Sequence, residues 1–595
     1  MSLIVQKFGG TSVADSEKIL AAARKAIRAH QNGNQVVVVV SAMGKNTDHL
    51  IALAHEVNEE PSAREMDMLL STGEQVSVAL MAMAIDGLGF KAVSLTGAQI
   101  GIRTDSSHTK ARIRSISTDR VRQLLDDGNI VIAAGFQGID ENFDITTLGR
   151  GGSDTTAVAL AAVLGADTCE IYTDVDGVYT TDPRILPEAR LTKQVSYDEM
   201  LELASLGASV MHNRSIEFGK KFNVPIHVRS SFSDNPGSLI VELPEAPDMP
   251  VSGVALTKDE ARISILGIPD TPGVCFQIFA PVADRKITVD MIVQNPSQAG
   301  KADICFTVPR DEMEQTLAVV RPIVEQLCGT LGECSDSVSK VSAVGLAMER
   351  QTGVANRVFR SLARSEINLQ MITTSEVKIS VLVERQNSLR ALRVMHEEFR
   401  LEQPPEGAVE NPFEILQRSR KSVPAIDVIS RLQGVDMEGL TIDKVTMDDS
   451  QSRITLQKIP NRVGVVAHVF DLIAENGLFV DMIIQNYFSA EASDLSFTVP
   501  RKQFELAVRL AEQLGQEYSL PKVLSKREVA KLSVSGIGLR SHTGMAISMF
   551  EAFAEANINL EMISTSEIRV NAIVDGSNGQ NALLCLQRKF KTAIK

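Results

Sequence analysis

The chain has 595 residues, of which 44% are hydrophobic and 23% charged, and its formal net charge is −14. A single hydrophobic core stops growing at about 250–300 residues, so we expect at least two domains. The composition is that of a globular protein. The acidic balance argues against sequence-independent nucleic-acid binding and against docking on anionic membranes, because both require clustered cations.

Cysteine usage and the N-terminal residues bear on the compartment. The six cysteines are scattered without a Cys-x-x-Cys pair, which fits a reducing environment. The opening residues MSLIVQKFGG lack the charged, apolar and small-residue regions of a signal peptide. No apolar run reaches the roughly 18–20 residues needed to span a bilayer. We therefore expect a cytoplasmic protein that binds neither membrane nor nucleic acid.

The N-terminal part of the chain, to about residue 240, alternates apolar strands with helical segments. Residues 3–8, 36–43 and 129–136 have the pattern of strands, and VVVVVSAM is a continuous apolar run typical of a strand covered on both faces. Helical patterns occur at 16–30 and 155–166. This alternation predicts a mostly parallel sheet between layers of helices, with a ligand site at the carboxyl ends of the strands.

A proline-rich segment at 242–250 separates this part from a duplicated one. VDMIVQN at 289–295 recurs as VDMIIQN at 480–486, and ITTSE at 372–376 recurs as ISTSE at 563–567, both at an offset of 191 residues. Several blocks in one register indicate a duplication. Each half contains the pattern strand, turn, helix, strand, strand, helix twice, which predicts four ferredoxin-like βαββαβ modules.

These patterns predict six segments along the chain. We expect a catalytic domain, modules 1 and 2, a linker, and modules 3 and 4, at residues 1–245, 251–335, 336–402, 403–441, 442–526 and 527–595, respectively. An alternative assigns the first strand segment of module 1 to module 2.

Polar, glycine-containing segments recur in the catalytic domain. In KFGGTS, at 7–12, glycine amides can approach an anion closely and Lys7 can neutralise phosphate charge. The segment is not a Walker A loop, because GxxxxGK[ST] is absent, and a surface turn is the alternative.

SAMGKNTD, at 41–48, offers hydroxyl and carboxylate groups at a strand end, where a plain polar turn is the alternative. STGEQ, at 71–75, precedes a predicted helix; its alternative is a helix start, where Glu74 would complement the helix dipole.

The segment TTLGRGGSDTTA, at 146–157, carries the most information. Three glycines lead into hydroxyl-bearing residues and an apolar helix, and hydroxyls with backbone amides at a helix N-terminus form an anion site. Arg150 adds a planar fork suited to a carboxylate. A helix cap alone, such as Ser153 or Asp154, requires neither three glycines nor an arginine, so the segment favours a functional site.

A further segment, YTDVDGVYTTDPR at 172–184, follows another predicted strand. It resembles a nucleotide-contacting loop, with Asp174 and Asp176 near a metal-bound phosphate, Tyr179 near a base and Arg184 near phosphates. DVDG and TDPR are also good turn sequences, which is the alternative. Such segments after successive strands together favour one site.

Taken in order, KFGGTSV, VVVVSAMG, STGE, GRGGSDTTA and TDVDGVYTTDPR resemble the aspartate kinase family of the amino-acid-kinase fold, and the region beyond residue 250 resembles its ACT regulatory domains. The resemblance implies an α/β fold, with a three-layer α/β/α catalytic domain followed by ACT modules. It also implies that the protein uses ATP with Mg²⁺ to phosphorylate the β-carboxylate of L-aspartate, which gives 4-phospho-L-aspartate. This reaction opens lysine, threonine, methionine and isoleucine biosynthesis, and lysine and/or threonine would inhibit it by feedback.

The resemblance also implies residue roles. Lys7 would stabilise charge on the transferring phosphoryl group, Asp154 would orient Lys7 or the substrate, and Arg150 would hold the α-carboxylate of the substrate. Substrate contacts would come from Thr47, Glu74, Arg150, Gly151, Gly152 and Ser153. Nucleotide contacts would come from Lys7, Gly9, Gly10, Thr11, Ser12, Ser41, Thr173, Asp174, Tyr179 and Arg184.

ACT modules commonly bind amino acids at interfaces between paired modules. The resemblance implies a first set of contacts from modules 1 and 2 at Asp270, Gly273, Gln294, Asn295, Asn368, Ile372 and Thr373. The offset implies a second set from modules 3 and 4 at Asn461, Gly464, Gln485, Asn486, Asn559 and Ile563. Because Asn461 replaces Asp270, we expect the two sets to differ in affinity or ligand. The alternative is that the second pair of modules is only structural.

This sequence departs from the family pattern in two ways. Many members place a lysine that reaches ATP in the segment at 207–212, which here is GASVMH with Ser209 at that place. The usual chain carries two ACT modules, whereas this one is predicted to carry four. Paired regulatory modules would also favour a homodimer.

Other functions remain open at this stage. A related kinase would phosphorylate glutamate, carbamate or a nucleotide, and a catalytically silent protein would only sense amino acids. Arg150 together with Glu74 favours an amino-acid zwitterion as the substrate. A fused homoserine dehydrogenase is not expected, because no GxGxxG segment follows a strand after the fourth module.

Overall fold

The structure is a computed structural model that describes residues 2–207, 210–296, 300–407, 436–487, 489, 491–539 and 544–594. The position of Ser209 and most of the predicted linker lie outside the described residues.

The first region is built of strands and helices in alternation. Its strands are β1 (Ser2–Phe8), β2 (Asn34–Val40), β3 (Ala92–Leu95), β4 (Ile102–Thr104), β5 (Ile113–Ile116), β6 (Ile130–Ala134), β7 (Gln137–Ile139), β8 (Ile145–Thr147), β9 (Thr168–Thr173), β10 (Gln194–Ser196), β11 (Ile226–Ser230) and β12 (Ser238–Val241). Its helices are α1 (Ser16–Gln31), α2 (Asn46–Val57), α3 (Ala63–Gly87), α4 (Gly97–Ile100), α5 (Asp119–Asp126), α6 (Gly152–Leu164), α7 (Tyr197–Ser205) and α8 (Asn213–Phe222).

One large sheet with helices on both faces forms the core of this region. Its strand order is β10-β12-β11-β9-β1-β2-β6-β3, and the neighbours are parallel except β11 and β12. Along β2 the side chains of Val36 and Val38 pack with α1 and α3, whereas those of Val37 and Val39 pack with α6. Burial on both faces explains the continuous valine run. The predicted three-layer α/β/α fold is confirmed.

A second, four-stranded sheet has the order β5-β4-β7-β8 and packs on α3 through β8. Among the described residues, α3 alone is long and apolar enough to cross a membrane by length and composition. It contacts α1, β3 and β8 and buries the polar side chains of Asp67, Ser71 and Glu74. The core helix of a folded domain passes the same test, and these contacts identify α3 as such a helix.

The second region is built of antiparallel sheets and covering helices. Its strands are β13 (Gly253–Pro269), β14 (Ile292–Pro296), β15 (Lys301–Pro309), β16 (Thr330–Leu331), β17 (Ser335–Val344), β18 (Met371–Thr374), β19 (Lys378–Glu384), β20 (Thr441–Pro460), β21 (Ile483–Tyr487), β22 (Ala492–Pro500), β23 (Lys522–Ile537), β24 (Met562–Thr565) and β25 (Arg569–Asp575). Its helices are α9 (Val274–Asp284), α10 (Met313–Gln326), α11 (Val354–Arg364), α12 (Ser388–Glu398), α13 (Val465–Glu475), α14 (Phe504–Glu517), α15 (Met545–Glu555) and α16 (Gly579–Lys589).

Each half of the duplication forms a six-stranded path. The first path is β14-β15-β13-β17-β19-β18, the second is β21-β22-β20-β23-β25-β24, and β18 pairs with β21 to join them. The long strand β13 serves two modules, because Gly253–Thr257 pair with β17 and Glu260–Pro269 pair with β15. The predicted βαββαβ modules are confirmed as the folding unit of this region.

The modules pair across the duplication. Because β13 and β17 join modules 1 and 2 edge to edge, β14 and β18 lie at opposite ends of one sheet path and cannot face each other. Helix α9 of module 1 packs on α15 of module 4, and α11 of module 2 packs on α13 of module 3. The expected pairing of module 1 with 2 and of module 3 with 4 as ligand-binding units is therefore wrong.

Candidate active site and regulatory interfaces

The candidate active site lies where β1, β2 and β9 end together. Lys7, near the end of β1, is almost fully buried, and its Nζ lies 2.5 Å from a carboxylate oxygen of Asp154 in the first turn of α6. The structure thus brings the two predicted catalytic residues together, with the ammonium group oriented by one carboxylate.

The two glycine-containing loops after β1 and β2 lie against each other. The amide of Gly44 donates to the carbonyl of Gly10 at 3.0 Å, and the amide of Ser41 donates to the carbonyl of Phe8 at 3.1 Å. A Cβ at Gly10 would lie 2.8 Å from the carbonyl oxygen of Ala42, and one at Gly9 would lie 3.5 Å from Nζ of Lys7. The close approach of backbone to backbone requires glycine at position 10, whereas the distance at Gly9 is that of an ordinary van der Waals contact.

Glu74 presents a buried carboxylate beside these loops. Its Oε1 accepts from the amide of Ala42 at 3.0 Å, whereas Oε2 is buried and has no hydrogen-bond partner among the residues that the structure describes. Burial raises the pKa of Glu74 to about 7. A buried carboxylate with an open oxygen would be satisfied by a ligand ammonium group, which would also favour its charged form.

The segment STGEQ does not begin a helix. It lies in the middle of α3, which begins at Ala63, so the expected helix start there is wrong. Gly73 belongs to a contact instead, since a Cβ there would lie 2.8 Å from Cβ of Ala42. The glycine brings α3 close enough to the loop after β2 for Glu74 to reach it.

The loop that leads into α6 is tightly enclosed. Gly149 and Gly151 have φ values of +77° and +71°, in the left-handed region that favours glycine. A Cβ at Gly151 would lie 2.2 Å from Cβ of His212, and one at Gly149 would lie 2.9 Å from the carbonyl oxygen of Thr109. Arg150, between the two glycines, is exposed and makes no ion pair with the described residues. This loop can therefore present Arg150 to a ligand carboxylate.

The other predicted substrate residues lie nearby in sequence and space. Gly152 begins α6, and Ser153 is buried against the backbone after β6, where a Cβ at Gly135 would lie 2.6 Å from its Oγ. Thr47 is half-buried in the first turn of α2. Among the described residues, no hydrogen bond joins Thr47 to Glu74.

The residues of the predicted nucleotide segment after β9 do not all point to one place. Thr173 donates to the exposed Asp174 at 3.1 Å, and Tyr179 is half-buried. Arg184 forms a fork with Asp182, and this pairing raises the pKa of the guanidinium group. The arginine is therefore held by its own turn and, among the described residues, contacts no part of the loop after β1. Thr11 is exposed beside that loop.

Two groups of positioning residues were missed from sequence. Ser231 donates to Ser12 at 2.6 Å and Ser233 donates to Asp176 at 2.6 Å, so the polar segment after β11 connects the loops after β1 and β9. Its position after a strand is the same signal that marked the other loops. Asp67, fully buried on α3, accepts from Thr147 at 2.5 Å. A carboxylate within an otherwise apolar stretch was the available signal.

The predicted effector residues meet in a different grouping from the expected one. Asn559 donates to Asp270 at 2.7 Å and Gln294 donates to the carbonyl of Leu560 at 2.8 Å, so these contacts join modules 1 and 4. Asn368 donates to Asn461 at 3.0 Å and joins modules 2 and 3. Assigning Asn368 to the Asp270 set and Asn559 to the Asn461 set is wrong, because β13 and β17 hold modules 1 and 2 edge to edge.

Other predicted effector residues lie in the sheets or at helix starts. Asn295 and Asn486 donate to backbone carbonyls across the modules, at 3.3 Å in both cases. Gln485 pairs in register with Ile372, and Thr373 pairs with Ile484. Gly273 and Gly464 precede α9 and α13 with φ values of +89° and +88°, and Ile563 is fully buried in β24.

Two sequence-equivalent cavities lie between the paired modules. Cavity A, of about 300 Å³, is lined by Asn356, Ser375 and Asp481 at the interface of modules 2 and 3. Cavity B, of about 120 Å³, lies between modules 1 and 4, where Ile547 takes the place of Asn356. The Oδ1 of Asn356 and the Oγ of Ser375 are buried in cavity A and have no hydrogen-bond partner within the described part of the chain. The repeated motifs ITTSE and ISTSE mark both cavities in the sequence.

Comparison with known proteins agrees with this architecture. The amino acid kinase family matches residues 2–230, and the ACT domain matches 263–321, 341–399 and 532–590. An aspartokinase of Pseudomonas aeruginosa is 49% identical over 407 residues, covering 68% of this chain and 99% of the relative. An aspartate kinase structure from Synechocystis has 38% identity and a TM-score of 0.52, covering 100% of this chain and 98% of that one.

Structures of E. coli aspartokinase III, solved with aspartate and ADP and with lysine and aspartate, are 23% identical. They cover 67% of this chain and 99% of that one, with TM-scores of 0.56 and 0.54, and show a shared fold. The motif resemblance is thus confirmed by relatives that are matched almost end to end. The chain belongs to the aspartate kinase family.

Proposed function

We propose that the protein transfers the γ-phosphoryl group of ATP to the β-carboxylate of L-aspartate and forms 4-phospho-L-aspartate. The observation that carries this proposal is the open, buried oxygen of Glu74 beside the Lys7–Asp154 pair and the glycine loops. An amino acid needs an acceptor for its ammonium group, and its reacting carboxylate needs cationic screening from ATP. The complex of E. coli aspartokinase III with aspartate and ADP supports the same ligand pair here.

Each residue then has a defined role in positioning. Glu74 accepts the substrate ammonium group, and Arg150 holds its α-carboxylate as a planar fork. Lys7, held by Asp154 at 2.5 Å, donates to the phosphoryl oxygens, and Gly9 and Gly10 line the phosphate path. The Gly9 amide itself donates to the carbonyl of Tyr172 at 3.3 Å. Phosphoryl transfer needs in-line placement and charge cancellation more than covalent chemistry. Because the attacking carboxylate is already an anion, no general base is required.

The residues present also fit ATP-bound Mg²⁺. Mg²⁺ usually keeps several waters and uses one or two carboxylates together with substrate phosphates. Asp174, exposed at the end of β9, accepts within its own turn only from Thr173 among the described residues, so it is open to such a ligand. When bound, the ion would neutralise charge on the β- and γ-phosphates. Asp174 would hold it beside the strand end.

An ADP-release assay with purified full-length protein tests the acceptor. We expect ADP release that depends on L-aspartate and exceeds release with L-glutamate or without acceptor. Equal release with both amino acids would favour a related amino-acid kinase. No release would favour a silent sensor, and release that does not depend on aspartate would indicate ATP hydrolysis. Either result would contradict the proposal.

We also propose that amino-acid effectors, lysine and/or threonine, bind between the crossed modules. In cavity A, the unpartnered acceptors of Asn356 and Ser375 suit an ammonium group, and the amides that begin α11 suit a carboxylate. Asp270 and Asn461 occupy the equivalent loops of modules 1 and 3, where burial raises the pKa of Asp270. A charge present in one interface and absent from the other supports two effector sites of different preference.

The reciprocal variants Asp270→Asn and Asn461→Asp in the full-length chain test this regulation. Each is assayed by titrating aspartate-dependent activity with lysine and with threonine. We expect each variant to shift the inhibition curve of one amino acid more than that of the other. Identical curves for both variants and the wild type would contradict a role for these loops in effector preference.

A further inference from the structure

The segment that precedes module 3 docks on the catalytic domain. The amide of Met437 donates to the carbonyl of Arg114, and the amide of Glu438 donates to the carbonyl of Ile113, at 3.3 Å in both cases. Lys221 of α8 donates to the carbonyls of Asp436 and Gly439 at 3.1 and 3.0 Å. The end of the predicted linker is thereby fixed to β5 and α8, a few residues before β20 begins.

This docking inserts Glu438 between two catalytic-domain groups. Its carboxylate accepts from Nε and Nη2 of Arg214, at 2.7 and 2.9 Å, and also from the amide of Ile113. The side chains of Glu438 and Arg214 are only 8% and 13% exposed. A buried guanidinium group held by two hydrogen bonds to one carboxylate has a fixed orientation. Glu438 therefore sets the direction in which Arg214 points.

Arg214 carries that orientation to the loop that precedes α6. Its Nη1 donates to the carbonyl of Leu148 and its Nη2 donates to the carbonyl of Ala111 at 2.9 Å. Leu148 directly precedes Gly149 and Arg150. His212, at the start of the same helix, fills the space over Gly151. Helix α8 thus holds the Arg150 loop at two points, and one of them depends on Glu438.

We propose that Glu438 is a positioning residue for aspartate binding, which acts through Arg214 on the loop that presents Arg150. This inference rests on the proposed kinase function. Removing the Glu438 charge leaves Arg214 buried without its ionic partner, and the Leu148 carbonyl loses a donor of fixed direction. Because Glu438 lies just before β20, the same contact connects the second half of the duplication to the substrate loop.

The neighbouring Asp436 offers a matched control. Its carboxylate pairs with Arg114 in a more exposed ion pair, with side-chain exposures of 36% and 51%, and among the described residues it makes no hydrogen bond or ion pair with Arg214. Asp436→Asn therefore weakens the docking of the same segment without removing the partner of Arg214. Glu438→Asp keeps the charge and shortens the side chain, which provides a conservative variant.

The experiment measures KM for aspartate, KM for ATP, kcat and Tm of full-length Glu438→Gln, Glu438→Asp and Asp436→Asn, without effectors. We expect Glu438→Gln to raise KM for aspartate on the order of 10-fold, since small displacements of a positioning group are costly, and to leave KM for ATP within about twofold. Glu438→Asp should fall between Glu438→Gln and the wild type, and Asp436→Asn should resemble the wild type.

Two outcomes would overturn the inference. One is a KM for aspartate that is unchanged in Glu438→Gln, or that rises equally in Asp436→Asn. The other is a parallel rise in both KM values with a fall in Tm, which would indicate a purely structural tether. If Glu438→Gln does not fold, Glu438→Asp decides by the same comparison. Aspartate-dependent ADP release by the wild type establishes the proposed function separately.

Discussion

Glu74 combines a cost in stability with its proposed role in substrate binding. The residue is 3% exposed, and burial raises the pKa of its carboxyl group to about 7 from an ordinary value of 4.5. The folded chain without ligand therefore favours the neutral acid below about pH 7. A substrate ammonium group beside Oε2 favours the charged form instead. Substrate binding and deprotonation of Glu74 are consequently linked.

The first prediction concerns the pH dependence of substrate binding. We expect KM for aspartate to fall as pH rises from about 6 to about 8, with an apparent pKa near 7 in the free enzyme. Glu74→Gln should raise KM and remove this pH dependence. Initial-rate kinetics over this range check both points. A wild-type KM that does not change with pH would contradict the assigned role of Glu74.

The second prediction concerns stability at the same residue. Because the folded pKa of Glu74 lies above its unfolded value, the free energy of unfolding falls as pH rises from about 4.5 to about 7. Glu74→Gln keeps an acceptor for the Ala42 amide and removes that penalty. We expect the variant without ligand to be more stable than the wild type at pH 8, by on the order of 2–3 kcal/mol. Urea unfolding of both proteins at pH 5 and pH 8 measures this stability difference. A difference of the same size at both pH values would contradict the prediction.

Residue identities at the site were largely predictable, whereas their contacts were not. Lys7, Asp154 and Glu74 were expected in the site, and the structure places Lys7 and Asp154 in an ion pair and Glu74 beside the adjoining loop. Arg184 was expected on phosphate, but the structure pairs it with Asp182 in its own turn. A sequence shows which residue types lie near strand ends. The rotamer and partner of a long exposed side chain depend on its neighbours in space, which the spacing of residues along the sequence does not reveal.

At the scale of elements, the backbone that leads into α6 can take its position only because residue 151 has no side chain. Its φ of +71° favours glycine, and a Cβ there would lie 2.2 Å from Cβ of His212. Backbone strain and steric overlap both act at this position, and they can be separated. Gly33 has a φ of +87°, and a Cβ there would have no heavy atom of the described residues within 4 Å.

The third prediction uses this pair of glycines. Gly151→Ala should lower kcat/KM for aspartate by at least about 10-fold, because it displaces the loop that carries Arg150. Gly33→Ala should cost only about 1 kcal/mol of stability through backbone strain and should leave kcat/KM unchanged. Adding His212→Gly to Gly151→Ala should restore part of the activity. An equal loss of kcat/KM in Gly151→Ala and Gly33→Ala would contradict a steric origin of the effect at Gly151.

The hydrophobic pattern predicted element boundaries well where the pattern continued unbroken along the whole strand or helix. The strand expected at 36–43 is Asn34–Val40, and the helix expected at 16–30 is Ser16–Gln31. The expected helix start near Glu74 was wrong, because Gly73 lies inside α3, where it permits a close contact with Ala42. A glycine that ends a helix and a glycine that permits a contact look alike in one sequence.

At the scale of the whole molecule, one chain supplies both partners of each module pair. Modules 1 and 4 and modules 2 and 3 face each other, whereas pairing in chain order was expected. The repeat predicted how many modules exist but not which edges meet, because edge pairing depends on the shared strands β13 and β20. The expected homodimer stays a prediction, since module pairing within the chain does not require a second copy.

The fourth prediction concerns the junction between the catalytic domain and the modules. Lys378 of module 2 lies 2.9 Å from Glu202 of α7, and their side chains are 5% and 0% exposed. Lys378→Met should leave Glu202 as an unpaired buried charge and destabilise the protein by about 3–5 kcal/mol. The more exposed pair of Arg357 and Glu398 provides the control, since Arg357→Met should cost less than about 1 kcal/mol. Urea unfolding compares them; equal losses would contradict the importance of the junction.

The central claim is that Lys7 promotes transfer of a phosphoryl group to the β-carboxylate of aspartate. Hydroxylamine converts an acyl phosphate into a hydroxamate, so the most direct measurement is the rate of β-aspartyl hydroxamate formation from ATP and aspartate, identified by mass spectrometry. We expect the product with the wild type and with Lys18→Met, a variant of the half-exposed lysine that pairs with Asp15. Lys7→Met should form it about 10²–10³-fold more slowly. A wild-type rate in Lys7→Met, or no hydroxamate from the wild type, would contradict the claim.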